Sequence, residues 1–383
     1  MSLERFRASF EPIAPLLALN AAGISRCCRP AIEAISTTAA GMARGVAAIP
    51  EILDVHEAAR ASVGRLVGAP AERVSMFHTC AAALSQVALG FPLGTGDEIV
   101  TWDQEYPSNA YPWYVAARRA GGRVVAVPSA PNLEVETPRL VEAIGPRTRI
   151  VAISWVQYQT GALTDLHHVA EACRRVGAWL VVDAAQALGV LPFDLEQFGV
   201  DVVCGASHKW LTGPIGHGFA AFAEGRLEEL EPLAHGAITY GTPDERTDPM
   251  RSPRQDPRRF EPGTPLALGA AGMGAAIELL LRCGVDVIGA EALRLADRLS
   301  AGLRELGHEV LGHREGSSRS PIVTFLPGAE LPVVRAALDA AQISYSLRAG
   351  GVRLSPHAYN TDEDIDVVLQ VLSSTASTDR SRT

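Results

Sequence analysis

The stretch "VVDAAQALGVLPFDLEQFGVDVVCGASHKWLTGP", residues 181–214, holds two short apolar runs, each followed by a side chain that can carry chemistry. The first run, "WLVVD", begins two residues before this stretch and ends at Asp183, and "VDVVC" is soon followed by Lys209, the single lysine of the chain. Short, continuous apolar runs are typical of strands buried on both faces of a parallel sheet. Since such sheets bind ligands beyond the carboxyl ends of their strands, we expect a site that includes Asp183 and Lys209.

Runs of the same kind recur along the chain and alternate with helical segments or loops. They lie at 73–77, 97–102, 123–128, 149–154, 179–183, 200–204 and 217–222. In the best helical segment, Asp165 is placed to cap the start and Gly177 to end it. This alternation predicts an α/β protein with a mostly parallel, seven-stranded sheet and helices on both faces.

The remaining sequence predicts a smaller α+β domain near the carboxyl terminus. A loop rich in Pro, Arg and Asp precedes it, and the last residues are polar. We expect an N-terminal arm at 1–25, a large domain at 26–260, a small domain at 261–373 and a disordered tail at 374–383.

Composition and charge exclude several classes of function. The 383 residues carry a net charge of −9 and no basic stripe, so we expect no nucleic-acid partner. No apolar run has the length of a membrane span, and the first 30 residues do not resemble a signal peptide, so we expect a cytoplasmic protein without membrane contact. The six cysteines match neither a zinc site nor a disulfide framework, which predicts free thiols and no metal.

Asp183 and Lys209 together indicate one particular cofactor. A lysine amine can form a Schiff base with an aldehyde, whereas a guanidinium cannot. A carboxylate can keep a pyridine nitrogen protonated, and pyridoxal phosphate needs both groups. The stretch "FHTCAAALSQVAL", 77–89, offers a helix start at Thr79 and Cys80 for the phosphate. The alternatives are a turn-forming Asp183 and a surface Lys209.

Over almost its whole length the sequence resembles the class V aminotransferases, a group that also holds cysteine desulfurases, isopenicillin N epimerase-like enzymes and carbon–sulfur lyases. Residues 181–214 carry the most specific part of the resemblance. It implies the aspartate aminotransferase-like fold (fold type I), pyridoxal phosphate, an amino-acid substrate and a homodimer with shared active sites. It also implies that Asp183 pairs with the pyridine nitrogen, that Gln186 contacts the phenolic oxygen and that Lys209 forms the Schiff base.

Four further residues match family motifs one at a time. In "QEYPSNAYPW", Tyr106 matches the residue that stacks on the ring, although a core position is the alternative. "RRFEPGTP" implies that Thr264 reaches the phosphate of the neighbouring subunit. "GVRLSPHAYNT" implies that Arg353 binds the substrate α-carboxylate, for which a planar guanidinium is well suited. Gln157 matches a polar position near the ring.

The start of the expected phosphate-binding helix departs from the family. Where the family often has Gly-Ala-Thr, this chain has Thr79, Cys80 and Ala81, so the hydroxyl is missing from its usual place. We expect the backbone N–H groups of Cys80 and Ala81 to bind the phosphate instead. His78, beside this loop, faces either the cofactor or the core, and we expect the core.

A second departure lies just before the lysine. The family often has a serine three residues before it, and here that position is Ala206. We therefore expect the phosphate contacts to shift to Ser207 and His208, together with Thr264.

The third departure concerns sulfur. Desulfurases of this group carry a persulfide-forming cysteine on a loop that precedes the carboxylate-binding arginine, and residues 320–353 contain no cysteine. A conventional cysteine desulfurase is therefore disfavoured, whereas a lyase that expels a thiol needs no such residue. Cys27 and Cys28 lie in an N-terminal segment that can approach the site, with a buried structural role as the alternative.

We expect an enzyme of specialised metabolism that acts at the α-carbon of an amino acid, with aminotransferase-type chemistry. Carbon–sulfur β-lyase and epimerase activities are the alternatives, because all three begin with loss of the α-proton. A non-catalytic binding or regulatory protein is a further alternative, opposed by the joint presence of Asp183, Lys209 and Arg353. A Schiff-base enzyme without a cofactor would leave Asp183 and Gln186 without a role.

Overall fold

The computed structural model describes residues 1–241, 248, 250–312 and 319–377. The strands are β1 (Leu17–Ala18), β2 (Val74–Phe77), β3 (Glu98–Trp102), β4 (Arg123–Val127), β5 (Thr148–Ser154), β6 (Trp179–Asp183), β7 (Val202–Ala206), β8 (Gly218–Phe222), β9 (Glu309–Val310), β10 (Val323–Leu326), β11 (Ile343–Ser344), β12 (Ser346–Arg348) and β13 (Gly351–Leu354). The α-helices are α1 (Leu3–Arg7), α2 (Arg29–Gly41), α3 (Ile49–Val67), α4 (Cys80–Gly90), α5 (Pro107–Ala120), α6 (Thr137–Ala143), α7 (Leu166–Val176), α8 (Ala237–Tyr240), α9 (Ala267–Cys283), α10 (Val285–Glu305), α11 (Leu331–Ala340) and α12 (Asp362–Ser377).

The central element is a seven-stranded sheet in the order β2-β8-β7-β6-β5-β3-β4. Each of the seven apolar runs forms one of its strands. Only β8 runs antiparallel to its neighbours β7 and β2, while the pairs among β3 to β7 are parallel. The expected α/β fold with a mostly parallel seven-stranded sheet is therefore confirmed.

Helices cover both faces of this sheet because successive strand residues point to opposite faces. Along β6, Leu180 and Val182 belong to one buried cluster, whereas Trp179 and Val181 belong to the other. Helices α3 and α9 contribute to the first cluster, and α4 and α5 contribute to the second. Asp183 continues the alternation of Trp179 and Val181, so its side chain lies on the face that α4 covers.

Helix α7 shows how local sequence sets the element bounds. The side chain of Asp165 accepts hydrogen bonds from the backbone N–H groups of His167 and His168, which satisfies two free donors at the helix start. Gly177 follows the helix with φ 74°, a left-handed conformation that glycine adopts without strain. Both end signals are where the sequence predicts them.

A second, antiparallel sheet has the order β12-β13-β10-β9 and packs with α10, α11 and α12 around its own apolar cluster. Strands β12 and β13 form a hairpin whose two turn residues, Ala349 and Gly350, have φ of 52° and 77°. Two positive φ values in a two-residue loop match the twist of the flanking strands. The turn therefore fixes the register in which Ser346 faces Arg353.

The expected domain bounds can be compared with the helices. Helix α9, which begins shortly after the expected bound at 260, packs on α2 and α3 of the large domain. Helix α12 extends to Ser377, into the expected tail, and residues 378–383 lie outside the described residues. Within the described ranges no single helix is long and apolar enough to cross a membrane; α9 and α10, bent by 83° at their junction, pass such a test only as a pair.

The N-terminal arm runs from the small sheet to the large one. Strand β1 pairs in parallel with β11, and Asn20 forms a bridge with Ser355. The backbone N–H of Ser25 then donates to the carbonyl of His208, at 2.9 Å. These contacts hold residues 20–25 beside Lys209.

The buried side chain of His357, which follows β13 of the small sheet, contacts Trp210 of the large domain and Phe6 of the N-terminal arm. The ring of His357 lies parallel to those of Trp210 and Phe6, with centroid distances of 5.8 Å in each case. Its Nε2 donates to the carbonyl of Trp210 at 3.1 Å. His357 is fully buried, and burial lowers its pKa to about 4.

We predict that His357 makes the stability depend on pH. His357 takes up a proton near pH 6.5 in the unfolded chain and only near pH 4 in the folded chain. Its contribution to the free energy of unfolding is therefore fully present above pH 6.5 and is lost as the pH falls toward 4. The loss amounts to about 3 kcal/mol. His357→Gln keeps a donor for Trp210 and should flatten this dependence, measured as urea-unfolding free energy from pH 7 to 4.5.

Phe6→Leu is the matched control, since it weakens the same packing without removing a titrating group. It should lower the unfolding free energy by a similar amount at every pH. An unchanged slope in His357→Gln would contradict the assignment.

Candidate functional site

Lys209 follows the carboxyl end of β7, next to the carboxyl end of β6. The two strands are parallel, and Asp183 is in register with Cys204. Lys209 Nζ lies 5.6 Å from the ring centroid of Tyr106, the residue before α5. The fold thus brings together Asp183, Lys209 and Tyr106, as the sequence predicts.

Asp183 is buried, and its two carboxylate oxygens differ in their contacts. Oδ1 accepts from the backbone N–H of Ala185 at 2.9 Å and from the thiol of Cys80 at 3.7 Å. In the described part of the chain no donor contacts Oδ2. Burial raises the pKa of Asp183, and the nearby Lys209 ammonium opposes this rise. One carboxylate oxygen therefore remains available to a ligand.

Lys209 shows the opposite shift. Burial lowers the pKa of its amine, while the Asp183 carboxylate opposes the lowering. The nearby guanidinium groups of Arg353 and Arg348 lower the pKa further. A larger neutral fraction near pH 7 makes this amine a better nucleophile and base than an exposed lysine.

Two hydrogen bonds hold the side chain of Gln186 in place. Its Nε2 donates to the carbonyl of Ala22 at 2.9 Å, and its Oε1 accepts from Trp210 Nε1 at 3.0 Å. These contacts fix the orientation of the amide. The second N–H of Nε2 remains available to a ligand.

A cavity of about 390 Å³ opens above Lys209. It contains five of the predicted site residues: Tyr106, Gln186, His208, Lys209 and Arg353. The other residues that line it are Asn20, Ala22, Gly23, Ile24, Tyr158, Ser346 and Arg348. Since the N-terminal arm, the large sheet and the β12–β13 hairpin all contribute, the cavity lies where these three segments meet.

Arg353 reaches the cavity from β13 and is only 1% exposed. Its Nη1 donates to the carbonyl of Tyr158 at 2.6 Å, and its Nη2 donates to Ser346 Oγ at 3.5 Å. Burial lowers the pKa of Arg353 to about 10, and the charge of Arg348 adds to this effect. The guanidinium is well placed for an anionic ligand, as the sequence predicts for a substrate carboxylate.

The start of α4 lies near Asp183 but does not line the cavity. Cys80 is buried with its thiol on Asp183, and Thr79 Oγ1 accepts from the backbone N–H of Ala82. The hydroxyl of Thr79 is therefore used as a helix cap, and the roles of Cys80 and Ala81 at a phosphate stay predictions. The expected core position of His78 is wrong, because the residue is exposed where β2 ends.

Ser207 and His208 differ although they are adjacent. His208 lines the cavity, and burial lowers its pKa to about 4. Ser207 is fully buried and does not line it; its Oγ lies so close to Gly213 that a Cβ there would come within 2.2 Å. The backbone turns after β7, so the two side chains point to different sides.

Gln157 does not line the cavity either. It is fully buried, and its Nε2 donates to Glu105 at 2.9 Å. Glu105, which sequence reasoning missed, also accepts from Asn109 Nδ2 and from both the backbone N–H and the hydroxyl of Ser154. Burial raises the pKa of Glu105 to about 7. This cluster fixes Glu105, the residue before Tyr106, and does not line the cavity.

Thr264 lines a separate cavity of about 430 Å³, together with His56, His78 and Glu261. The side chain of Glu261 binds Arg60, with two N–O distances of 2.7 and 2.8 Å. Within one chain Thr264 is thus not brought to Lys209. Its expected contact with the neighbouring subunit stays a prediction.

None of the six cysteines, all of which are described, lines the Lys209 cavity. Burial raises the pKa of Cys27 to about 11, and it also raises the pKa of Cys28, the residue before α2. High pKa values leave little thiolate, the nucleophilic form. The structural alternative for Cys28 is supported by its burial and by its backbone N–H, which donates to the carbonyl of Thr212.

The donor set fits pyridoxal phosphate. Lys209 supplies the amine, Asp183 a carboxylate oxygen without a donor, and Tyr106 an aromatic face. One polar atom of the cavity lining, the buried Nδ1 of His208, has no hydrogen-bond partner in the described residues. Since buried polar atoms are rarely left unpaired, this is consistent with a bound polar ligand.

Comparisons with known proteins agree with this fit. A probable cysteine desulfurase of Halalkalibacterium halodurans is 30% identical over 390 residues, which cover 94% of this chain and 93% of that protein. The isopenicillin N epimerase of Streptomyces clavuligerus is 39% identical over 177 residues, 45% of this chain and 44% of the epimerase.

Solved structures show the same fold. The apo cysteine desulfurase from Thermococcus onnurineus NA1 superposes with a TM-score of 0.90 at 25% identity and covers 98% of each chain. The cystine C–S lyase C-DES, in complex with its reaction product cysteine persulfide, has a TM-score of 0.87 at 25% identity and covers 94% of this chain and 98% of the lyase. Residues 21–368 match the aminotransferase class-V family. The chain therefore belongs to this family of pyridoxal phosphate enzymes, as its sequence predicts.

Proposed function

We propose that this enzyme is a carbon–sulfur lyase that eliminates a thiol from an S-substituted cysteine. One observation carries the proposal. The Lys209 cavity contains an amine and an arginine that can bind an amino-acid carboxylate, and no cysteine lines it. An enzyme that transfers sulfur to its own thiol needs a cysteine within reach of the substrate. Elimination releases the sulfur with the leaving group and needs none.

The side chains of the cavity, together with the buried Asp183, which does not line it, have separate roles in this reaction. Pyridoxal phosphate, when bound, supplies an electron sink for negative charge at the substrate α-carbon. Asp183 would hold a proton at the pyridine nitrogen through its free Oδ2. Arg353 would bind the α-carboxylate and orient the substrate. Lys209 Nζ, whose pKa burial lowers, would take the proton from the α-carbon.

The bond changes balance without an added oxidant or reductant. The α-proton leaves to Lys209, and the β-carbon–sulfur bond breaks with its electron pair on sulfur. The thiolate takes up a proton and leaves as a thiol. Water then converts the remaining three-carbon enamine to pyruvate and ammonia. His208 lines the same cavity, but its pKa of about 4 makes it neutral at pH 7, so it stands as a hydrogen-bond partner rather than as the acid.

Aminotransferase-type chemistry, which the sequence favours, shares the first proton transfer. The relatives and structures described above are named desulfurases, an epimerase and a C–S lyase, so they support the lyase alternative better than transamination. Epimerisation is the second candidate. The segment similar to isopenicillin N epimerase is 39% identical to it, whereas the probable cysteine desulfurase described above is 30% identical.

We predict that Lys209→Arg abolishes the covalent link to the cofactor. A guanidinium retains the positive charge and a similar length but cannot form an imine. The wild-type holoenzyme should show a visible absorption band that borohydride removes, with peptide mass spectrometry locating the reduced adduct on Lys209. The variant should lack the band and lose activity by about 10²- to 10⁴-fold.

The control for this experiment is Arg282→Lys, which adds a lysine at the end of α9, away from the cavity. The adduct should remain on Lys209 alone. A wild type that stays colourless with excess cofactor would contradict the assignment of pyridoxal phosphate.

A second prediction concerns the products. S-substituted cysteines should yield equimolar pyruvate, ammonia and thiol, and Cys27→Ser and Cys28→Ser should retain this activity, since neither residue lines the cavity. Product analysis of an amino-acid panel by chromatography on a chiral column checks all three reaction types. Keto acids matching the substrate would instead establish transamination, and D-isomers without thiol release would establish epimerisation.

A further inference from the structure

The β12–β13 hairpin carries two arginines on one face. Strand residues two apart share a face, which places Ser346 and Arg348 together. Ser346 is in register with Arg353, and Arg348 is in register with Gly351. Arg348 and Arg353 are thus diagonal neighbours, with Cα atoms about 7–8 Å apart in this arrangement. All three polar residues line the Lys209 cavity.

Neither arginine has an acidic partner among the described residues. Arg353 donates to the carbonyl of Tyr158 and weakly to Ser346, and Arg348 Nη1 donates to the carbonyl of Leu347 at 2.6 Å. The guanidinium of Arg348 also lies 5.8 Å from the ring centroid of Tyr158. The Nε of each arginine is buried without a hydrogen-bond partner.

Arg60, which is buried beside the large sheet, shows how a carboxylate compensates such a charge, because its guanidinium binds Glu261. The half-buried Arg226 likewise binds Asp201 at 2.8 Å. Two unpaired guanidinium groups beside one another are costly, because burial removes hydration and like charges repel. Anions in the cavity would compensate both charges.

The two arginines also lie at different depths. Arg353 is almost completely buried, whereas Arg348 is half-buried, next to the turn at Ala349 and Gly350. Each guanidinium presents a planar fork that binds one carboxylate. A single carboxylate would satisfy the deeper arginine and leave Arg348 without an anion.

We propose that Arg348 binds a second carboxylate, so that the substrate is a dicarboxylic amino acid with its α-carboxylate on Arg353. This inference rests on the proposed lyase function for the rest of the substrate. Together they define the class as cysteine whose sulfur substituent ends in a carboxylate. The partial exposure of Arg348 allows the distal carboxylate to enter from the mouth of the cavity.

Binding tests the inference without turnover. L-Aspartate, L-glutamate and L-2-aminoadipate are compared with the neutral-tailed L-2-aminobutyrate, L-norvaline and L-norleucine by calorimetric titration of the holoenzyme. The dicarboxylate of optimal length should bind about 10- to 100-fold more tightly than its neutral counterpart, the effect of one charged hydrogen-bonded contact. Arg348→Gln should abolish this difference and leave the affinity for the neutral analogues unchanged.

Arg335→Gln is the matched control, since it makes the same substitution on an exposed arginine of α11 in the same part of the fold. It should keep the preference for dicarboxylates. Retained binding of neutral analogues by Arg348→Gln shows that the variant is folded. Arg348→Lys, which keeps the charge without the fork, should restore part of the preference.

Kinetics with a matched substrate pair extends the test to the reaction. S-(2-Carboxyethyl)cysteine should have a kcat/KM at least 10-fold above that of S-propylcysteine, and Arg348→Gln should remove the difference. Equal affinities for dicarboxylic and neutral ligands would overturn the inference. So would an equal loss for both classes in Arg348→Gln, because Arg348 would then share the α-carboxylate with Arg353.

The two proposals fail separately. If dicarboxylates bind through Arg348 but no S-substituted cysteine releases a thiol, the lyase assignment falls and the second-carboxylate subsite is supported. If thiol release proceeds equally well with neutral tails, the subsite falls and the lyase assignment stands.

Discussion

The site depends on the electrostatic interaction between the carboxylate of Asp183 and the amine of Lys209. Asp183 is buried and Lys209 is half-buried, and electrostatic interactions between such groups are stronger than at the surface. Burial raises the pKa of the acid and lowers that of the amine, so desolvation favours the neutral form of each group while the pair interaction favours the charged forms. The balance leaves a lysine that can give up its proton next to a carboxylate that can hold one. The parallel pairing of β6 and β7 sets this geometry.

Segments distant in sequence complete the cavity around that pair. The arm at 20–25 reaches it because β1 joins the small sheet, and the hairpin reaches it because the small sheet packs beside the large one. Gln186 connects the arm to Trp210, which stacks on His357. A change in the packing of the small sheet would therefore move Arg348 and Arg353 relative to Lys209.

Sequence reasoning predicts the fold and the residues next to Lys209 because those signals are local. Each strand of the large sheet is a short apolar run, and Asp183 follows directly from the alternation along β6. The side on which a residue lies beyond a strand end is not a local property. For that reason the sequence wrongly predicts a core position for His78, and it does not distinguish His208, which lines the cavity, from Ser207, which does not. Arg348 was missed although "SYSLRAGGVR" contains its signal, a period-two alternation before a turn with Gly350.

The use of arginine and lysine follows the chemistry of the cavity. The positions proposed to bind carboxylates need a charge that persists and a planar fork, and Arg348 and Arg353 provide both. The position that moves a proton needs a base that can be neutral, which only Lys209 provides among the cationic residues of the described site. The thiol nearest this site shows the opposite shift to Lys209. Cys80 donates to Asp183, and burial raises the pKa of the Cys80 thiol far above its ordinary value. A thiol kept protonated is a poor acceptor for sulfur, which supports the proposed release of sulfur with the leaving group.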